Sequence, residues 1–174
     1  MKTTLSIITV IVLFLTANTA MAQMDKTILS PPDSVSVTTN DGVTIKVNYS
    51  KPSLRGRKFG VDLAKFGEVW RTGANAITVI EFDKNVLVAG KALPRGKYGL
   101  WTIPGEDETT VIFSKKWKGW GVNYSDQEDQ LRVNVKNIKG NPSVEQFTIS
   151  VEPSGQINLA WDEYIIPIAV KAGR

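Results

Sequence analysis

Between Lys51 and Arg71 the chain sets six basic side chains (Lys51, Arg55, Arg57, Lys58, Lys65 and Arg71) against only Asp62 and Glu68, and the segment runs out through Trp70-Arg71-Thr72-Gly73-Ala74-Asn75. An arginine fork matches a carboxylate, sulfate or phosphate through two parallel hydrogen bonds. Gly73 and Asn75 are residue types that tolerate left-handed backbone, which lets a loop hold such a fork rigidly. The chemistry this predicts is capture of an anion, with Arg71 as anchor, Arg55 and Arg57 as a lip, Asn75 as hydrogen-bonding orienter and Trp70 as packing floor. The same residues also admit a structural reading, in which Arg71 is clamped to Glu68, Glu81 or Asp162, Trp70 fills core and Arg55-Gly56-Arg57-Lys58 is a solvated loop.

A second candidate is Trp117-Lys118-Gly119-Trp120-Gly121 with Asn123-Tyr124. Trp117 and Trp120 either stack on a sugar ring or plug one end of a β-structure. Ser125-Asp126-Gln127-Glu128-Asp129-Gln130 gathers carboxylates, but it lacks the loop glycine and the ligand spacing of an EF-hand and reads as a solvated turn. No metal and no cofactor are expected. Glu68, Glu81 and Asp162 are the nominees for a carboxylate hydrolase, which needs two such groups at a set separation in space. Ser50 and Lys51 are adjacent and would point to opposite faces of a strand, which argues against a dyad.

The chain contains neither Cys nor His. That removes disulfides, thiolate nucleophiles, the Ser-His-Asp triad, imidazole bases and the usual zinc sites. Its formal net charge of +4 is too small and too concentrated for nucleic acid, whose binding proteins carry a broad basic face.

The elements that must position these residues are strands. Val35 to Thr38 and Val43 to Tyr49 alternate apolar and polar side chains around Asn40-Asp41-Gly42, a pattern that predicts a hairpin with a type I′ turn. Further strands are expected at Thr78 to Phe82, Val86 to Val88, Lys97 to Ile103, Thr109 to Phe113, Leu131 to Val135, Gln146 to Val151, Gln156 to Trp161 and Tyr164 to Val170, separated by Pro, Gly, Asn and Asp. In the Lys97 strand, Tyr98, Leu100 and Thr102 face one way and Gly99, Trp101 and Ile103 the other. One short helix is expected over Val61 to Val69. Such a series reads as all-β, an antiparallel β-sandwich or jelly-roll-like fold with one long basic loop.

Ahead of it, Lys2, the apolar run Leu5 to Leu15 and Ala20-Met21-Ala22 have the three parts of a secretory signal peptide, with cleavage expected after Ala22. The organisation expected is a leader over residues 1 to 22, a flexible lead-in over 23 to 34, a single sandwich domain over 35 to 170 and a tail over 171 to 174. The product would be periplasmic or secreted, with no transmembrane anchor in the mature chain.

Three blocks in order resemble a known family: Tyr49-Ser50-Lys51-Pro52 with Arg55-Gly56-Arg57, then Phe66-Gly67-Glu68-Val69-Trp70-Arg71-Thr72-Gly73-Ala74-Asn75, then Leu93-Pro94-Arg95-Gly96-Lys97-Tyr98-Gly99-Leu100-Trp101-Thr102-Ile103-Pro104. They resemble the bacterial exported domain-of-unknown-function family numbered 2911. That resemblance implies a fold class and an exported protein but no activity and no catalytic residues. The chain departs from the family pattern at Lys51 and Ala76, where many members carry Arg and an acidic residue.

The function expected from these observations is a non-catalytic binding module for a small anionic or carbohydrate ligand, with a carboxylate hydrolase and a structural or partner-binding domain as the alternatives. Its expected ligand-binding residues are Arg55, Arg57, Trp70, Arg71, Asn75, Trp117 and Trp120.

Overall fold

The computed structural model describes residues 29–173; the expected leader and the first part of the lead-in lie outside them. Eleven strands form two antiparallel sheets. One contains β1 (Pro32–Thr38), β2 (Thr44–Ser50), β3 (Thr78–Phe82), β6 (Gly96–Ile103), β7 (Glu108–Ser114) and β8 (Asp129–Lys136) in the order β1-β2-β3-β6-β7-β8. The other contains β4 (Val86–Val88), β5 (Lys91–Leu93), β9 (Val144–Val151), β10 (Gln156–Asp162) and β11 (Tyr164–Ala172) in the order β5-β4-β11-β10-β9. A single 3₁₀ turn, Asp126–Glu128, precedes β8.

Period-two alternation produces this arrangement directly. In β2, Ile45, Val47 and Tyr49 are buried while Lys46 and Asn48 are exposed. Val47 lies opposite Ile80, Ile80 opposite Tyr98, and Leu100 opposite Phe113, so one apolar row crosses the larger sheet. That face packs on Phe147, Ile149, Ile157, Leu159, Trp161, Ile166 and Ile168 of the smaller sheet. Central strand β6 is covered on both sides, and its side chains divide between the two faces as the alternation in its sequence predicted. Its Tyr98 and Leu100 belong to the main core. On the opposite face Trp101 joins Ile77 and Ile112 in a second small cluster, with Tyr124 packed on top.

Several local expectations are corrected by the backbone. Only Gly42 of Asn40-Asp41-Gly42 has positive φ, so this connection is not the two-residue type I′ turn. The chain instead closes it with Thr39, whose hydroxyl accepts the Val43 amide at 3.0 Å. Type I′ geometry appears at Ala89-Gly90, where φ is 46° and 81° and Val88 pairs with Lys91. This hairpin supplies β5, which is too short to show a period in sequence. The helix expected over Val61 to Val69 is absent. Asp62 and Leu63 donate to the Lys58 carbonyl at 3.0 and 3.1 Å, but Ala64 then takes φ 45° and the turn cannot continue. The lead-in ends earlier than expected, because Pro32, Asp33 and Ser34 already pair with Ser50, Tyr49 and Asn48. At an edge strand the missing amide of Pro32 costs nothing.

Carboxylates fasten the ends of the strands. Asp41 accepts the Ala172 amide and Asp83 the Thr44 amide, each at 2.7 Å. Both are held below the ordinary value of 3.8, Asp41 by the Thr39 hydroxyl and then the Ala172 amide, Asp83 by the Thr44 amide. A carboxylate depressed in the folded state contributes stability that is complete above its unfolded value and is lost as pH falls through the folded one. The urea midpoint should therefore decline as pH drops below 3.8. Asp41→Asn with Asp83→Asn should lower the midpoint at neutral pH and flatten that decline, and an acid limb unchanged in the double variant would remove these groups as its cause.

Candidate functional site

The basic segment leaves β2 at Lys51, which pairs with Asp33 at 3.2 Å, and returns to the sheet at Thr78. Its first part runs beside β9: the Pro52 carbonyl accepts the Phe147 amide, and Leu54 donates to Glu145, both at 2.9 Å. Its middle is held by aromatic side chains, Phe59 against Phe66, Trp70, Trp161 and Tyr164 at centroid separations from 5.3 to 6.1 Å. Its last part is pinned to β6 by two backbone hydrogen bonds, Trp70 N–H to Thr102 O at 2.7 Å and Thr102 N–H to Trp70 O at 2.9 Å.

Between these attachments lies an open cleft of about 450 Å³. Arg57, Lys65 and Arg71 line it with Asp62, Glu68 and Asn75, over Trp70 and Trp161. The two indoles stack at 5.3 Å and 21°, and Phe147 closes against Trp70 at 5.0 Å. The Trp70 Nε1–H is satisfied by the Gly73 carbonyl at 3.0 Å. Trp70 is therefore floor and core at once.

Arg71 is half-buried, and its Nη1 donates to the Asn75 carbonyl at 3.0 Å. The clamps expected from the sequence do not form: Glu81 pairs with Lys97 at 3.4 Å, Asp162 accepts from Phe59 N–H and Ser143 Oγ, and no described carboxylate forms a salt bridge with Arg71. Arg57 is likewise without a described carboxylate partner, and it donates to the Leu54 and Ser53 carbonyls at 3.0 and 3.2 Å. Arg55 does not line the cleft. It turns away, its Nη2 donating to Leu29 O at 3.3 Å and its backbone amide to Glu145. Asn75 orients Arg71 through its backbone carbonyl, while its side-chain amide donates to Ser30 O at 3.3 Å.

Backbone strain gathers here. Among the described residues, the non-glycine positions with positive φ are Arg55, Ala64, Thr72, Asn75, Ala89 and Asp162, and all except Ala89 belong to this loop or adjoin Trp161. Thr72, β-branched and fully buried, has φ 51°. It is held by its hydroxyl donating to Thr102 Oγ1 at 3.2 Å and its carbonyl accepting from Thr78 Oγ1 at 2.7 Å. Such conformations cost about 1–3 kcal/mol and persist where surrounding structure over-determines them, often at binding sites.

Trp117 and Trp120 lie outside the cleft, in the loop that covers the outer face of the larger sheet. Trp117 is flanked by Lys118 and Lys97 at 4.8 and 5.4 Å, and Trp120 is 70% exposed. In the acidic stretch, Asp129 accepts from Tyr124 and Arg132 at 2.6 Å each, and no three His, Cys, Asp or Glu side chains among the described residues converge as a metal site.

A family model described as a protein of unknown function (DUF2911) matches residues 30–170. The chain belongs to the DUF2911 family. No curated relative and no solved structure matches it. All three blocks that carry the resemblance meet at the cleft of this DUF2911 domain: Pro52 and Arg57 of the first and Trp70 and Arg71 of the second line it, and Thr102 of the third pins Trp70. Trp161 was read from sequence only as part of a strand. It lies far along the chain, in β10, and nothing local signals that its ring meets Trp70.

The middle of the loop depends on Gly60, which has φ +80° and whose Cβ would strike the Phe66 ring. Gly60→Ala should cost about 1–3 kcal/mol by overpacking and should speed amide exchange at Phe66, whose N–H bonds to Gly60 O at 3.0 Å. Denaturation and hydrogen exchange measure both, and wild-type exchange in the variant would mean that Phe66 does not anchor the loop.

Proposed function

We propose that this DUF2911 protein is a non-catalytic binding module that takes a small anionic ligand, such as a carboxylated or sulfated sugar, in the Arg57–Arg71 cleft. The observation that carries the reading is Arg71. Its guanidinium is oriented by the Asn75 carbonyl, borders an aromatic-floored cleft and has no carboxylate partner among the described residues. A charge held that way in a strained loop keeps donors free for a bidentate acceptor. Arg57 supplies a second fork at the lip and Lys65 a third positive charge. The carboxylates favour binding over hydrolysis. Asp62 is occupied by the Lys58 amide at 3.0 Å, and of Glu68, Glu81 and Asp162 only Glu68 lines the cleft. The leader-like residues 1 to 22 place this binding outside the cytoplasm in the same proposal, with Gln23 as the first residue of the exported protein; N-terminal sequencing of the exported chain checks it.

Thermal shift against inorganic sulfate, inorganic phosphate, glucuronate and neutral glucose tests the site. A ligand at about 100 times its dissociation constant adds about 2.7 kcal/mol, a rise of several degrees for a domain this size. Sulfate or glucuronate should raise Tm, less so at high salt, and glucose should not. Arg71→Ala should abolish the rise while keeping the β-rich circular dichroism spectrum. An undiminished shift in Arg71→Ala, or no shift in the wild type with any anion, refutes the proposal.

A further inference from the structure

The cleft has a second support, from a loop that contributes no side chain to its lining. Residues 119 to 121 lie along residues 75 to 77 as a short ribbon. Ile77 N–H donates to Gly119 O at 3.1 Å, Gly121 N–H donates to Asn75 O at 3.2 Å, and Trp120 pairs with Ala76. The Asn75 carbonyl thus accepts two donors, the Gly121 amide and the Arg71 guanidinium. Gly121 is buried. Its φ lies outside the left-handed region, so backbone conformation does not call for glycine there. Space does. A Cβ at Gly121 would collide with Arg71 Cδ and would lie 2.8 Å from Arg71 Cβ and 3.0 Å from Nε. The aliphatic stem of Arg71 is laid flat on the backbone of this second loop, and its tip is held by a carbonyl that the same loop also holds.

From this contact we propose that Gly121 is a positioning residue for Arg71, and that the Trp117 to Tyr124 loop is the strap that aims the guanidinium into the cleft. The proposal rests on the anion-binding reading and names the part of the molecule that makes that site specific. It also assigns Gly121, the glycine after Trp120, a role that the Trp120 side chain does not share: the loop acts on the site through Gly121, while the Trp120 side chain stays exposed at 70%.

The test is titration calorimetry with inorganic sulfate and with glucuronate at low salt, on the wild type, Gly121→Ala, Val122→Ala, Arg71→Ala and the Gly121→Ala/Arg71→Ala pair. Gly121→Ala should weaken anion binding by about tenfold or more, the scale of one charge-assisted contact. Val122→Ala, at an exposed neighbour, should leave binding unchanged. On the Arg71→Ala background, which should no longer bind, Gly121→Ala should lower Tm less than it does in the wild type, because the contacts at Cδ and Nε are gone; a general loss of structure would cost the same on both backgrounds. Wild-type affinity in Gly121→Ala, with Arg71→Ala impaired, overturns this inference and leaves the binding site standing. Full affinity in Arg71→Ala, or no binding by the wild type, overturns the site itself. If Gly121→Ala lowers Tm too far for titration, the pair should recover part of the loss, because Arg71→Ala removes the contacts at Cδ and Nε. Absence of recovery would show that Gly121 is not packed on Arg71.

Discussion

Two backbone hydrogen bonds between Trp70 and Thr102 carry the rest of the site. They graft a loop onto the central strand of the larger sheet, and in doing so they bring the Trp70 indole against Trp161 of the smaller one. The end of the sandwich is thereby closed by aromatic rings rather than by sheet. Without that bridge the last part of the basic segment, which carries Arg71, would lose its attachment to the larger sheet. With it, Arg71 follows Trp70 by one residue and must leave the bridge at a fixed point. A ring cluster of Phe59, Phe66, Trp70, Phe147, Trp161 and Tyr164 serves a chain that has no disulfide to hold its loops, because aromatic pairs add attraction beyond their buried area.

The strain at Thr72 and Asn75 follows from the same graft. After Trp70 pairs with β6, the chain must turn back within a few residues to enter β3 beside that strand, and left-handed backbone is how it does so. Thr72 is the costly choice, since β-branching opposes positive φ. Its hydroxyl and carbonyl are both bonded where the side chain is fully buried, and an unmade hydrogen bond there is expensive. The polar pairings with Thr102 and Thr78 therefore offset the torsional cost. They also explain why three threonines, Thr72, Thr78 and Thr102, are fully buried side by side.

How much of this was legible in the sequence divides by range of interaction. Strands β3 and β4 were readable to the residue because Thr78 to Phe82 and Val86 to Val88 are bounded by turn formers and carry a local period. The two faces of β6 were readable for the same reason. The helix over Val61 to Val69 was misread because composition there allows helix, and only the torsion at Ala64 and the Asp62 side chain, bonded to Lys58 N–H, stop it after one turn. Asp41-Gly42 was misread because a strong dipeptide signal lost to Thr39, which ties the loop from outside the dipeptide. In the loop, Arg57, Trp70, Arg71 and Asn75 were singled out by their types and spacing, and the fold brings all four to the lining of one cleft. Arg55 was misplaced because it reads like Arg57, and only the neighbouring Leu29 and Glu145 distinguish them. Trp161 and Gly121 were missed because their contacts with Trp70 and Arg71 exist only across the fold.

On the anion-binding reading proposed above, the mixed lining of the cleft bears on selectivity. Arg57, Lys65 and Arg71 alone would attract any polyanion, nucleic acid included, through a field that salt screens but does not discriminate. Asp62 and Glu68 interrupt that field within the same cleft. A ligand that places one anionic group at Arg71 and a neutral body beside Glu68 avoids the repulsion that an extended polyanion would meet there. Discrimination of this kind comes from the unfavourable contact as much as from the favourable one. It requires the fork to be aimed rather than free, because a guanidinium able to swing could follow a larger ligand out of the cleft. The Asn75 carbonyl and the Gly121 backbone remove that freedom from opposite ends of the same side chain.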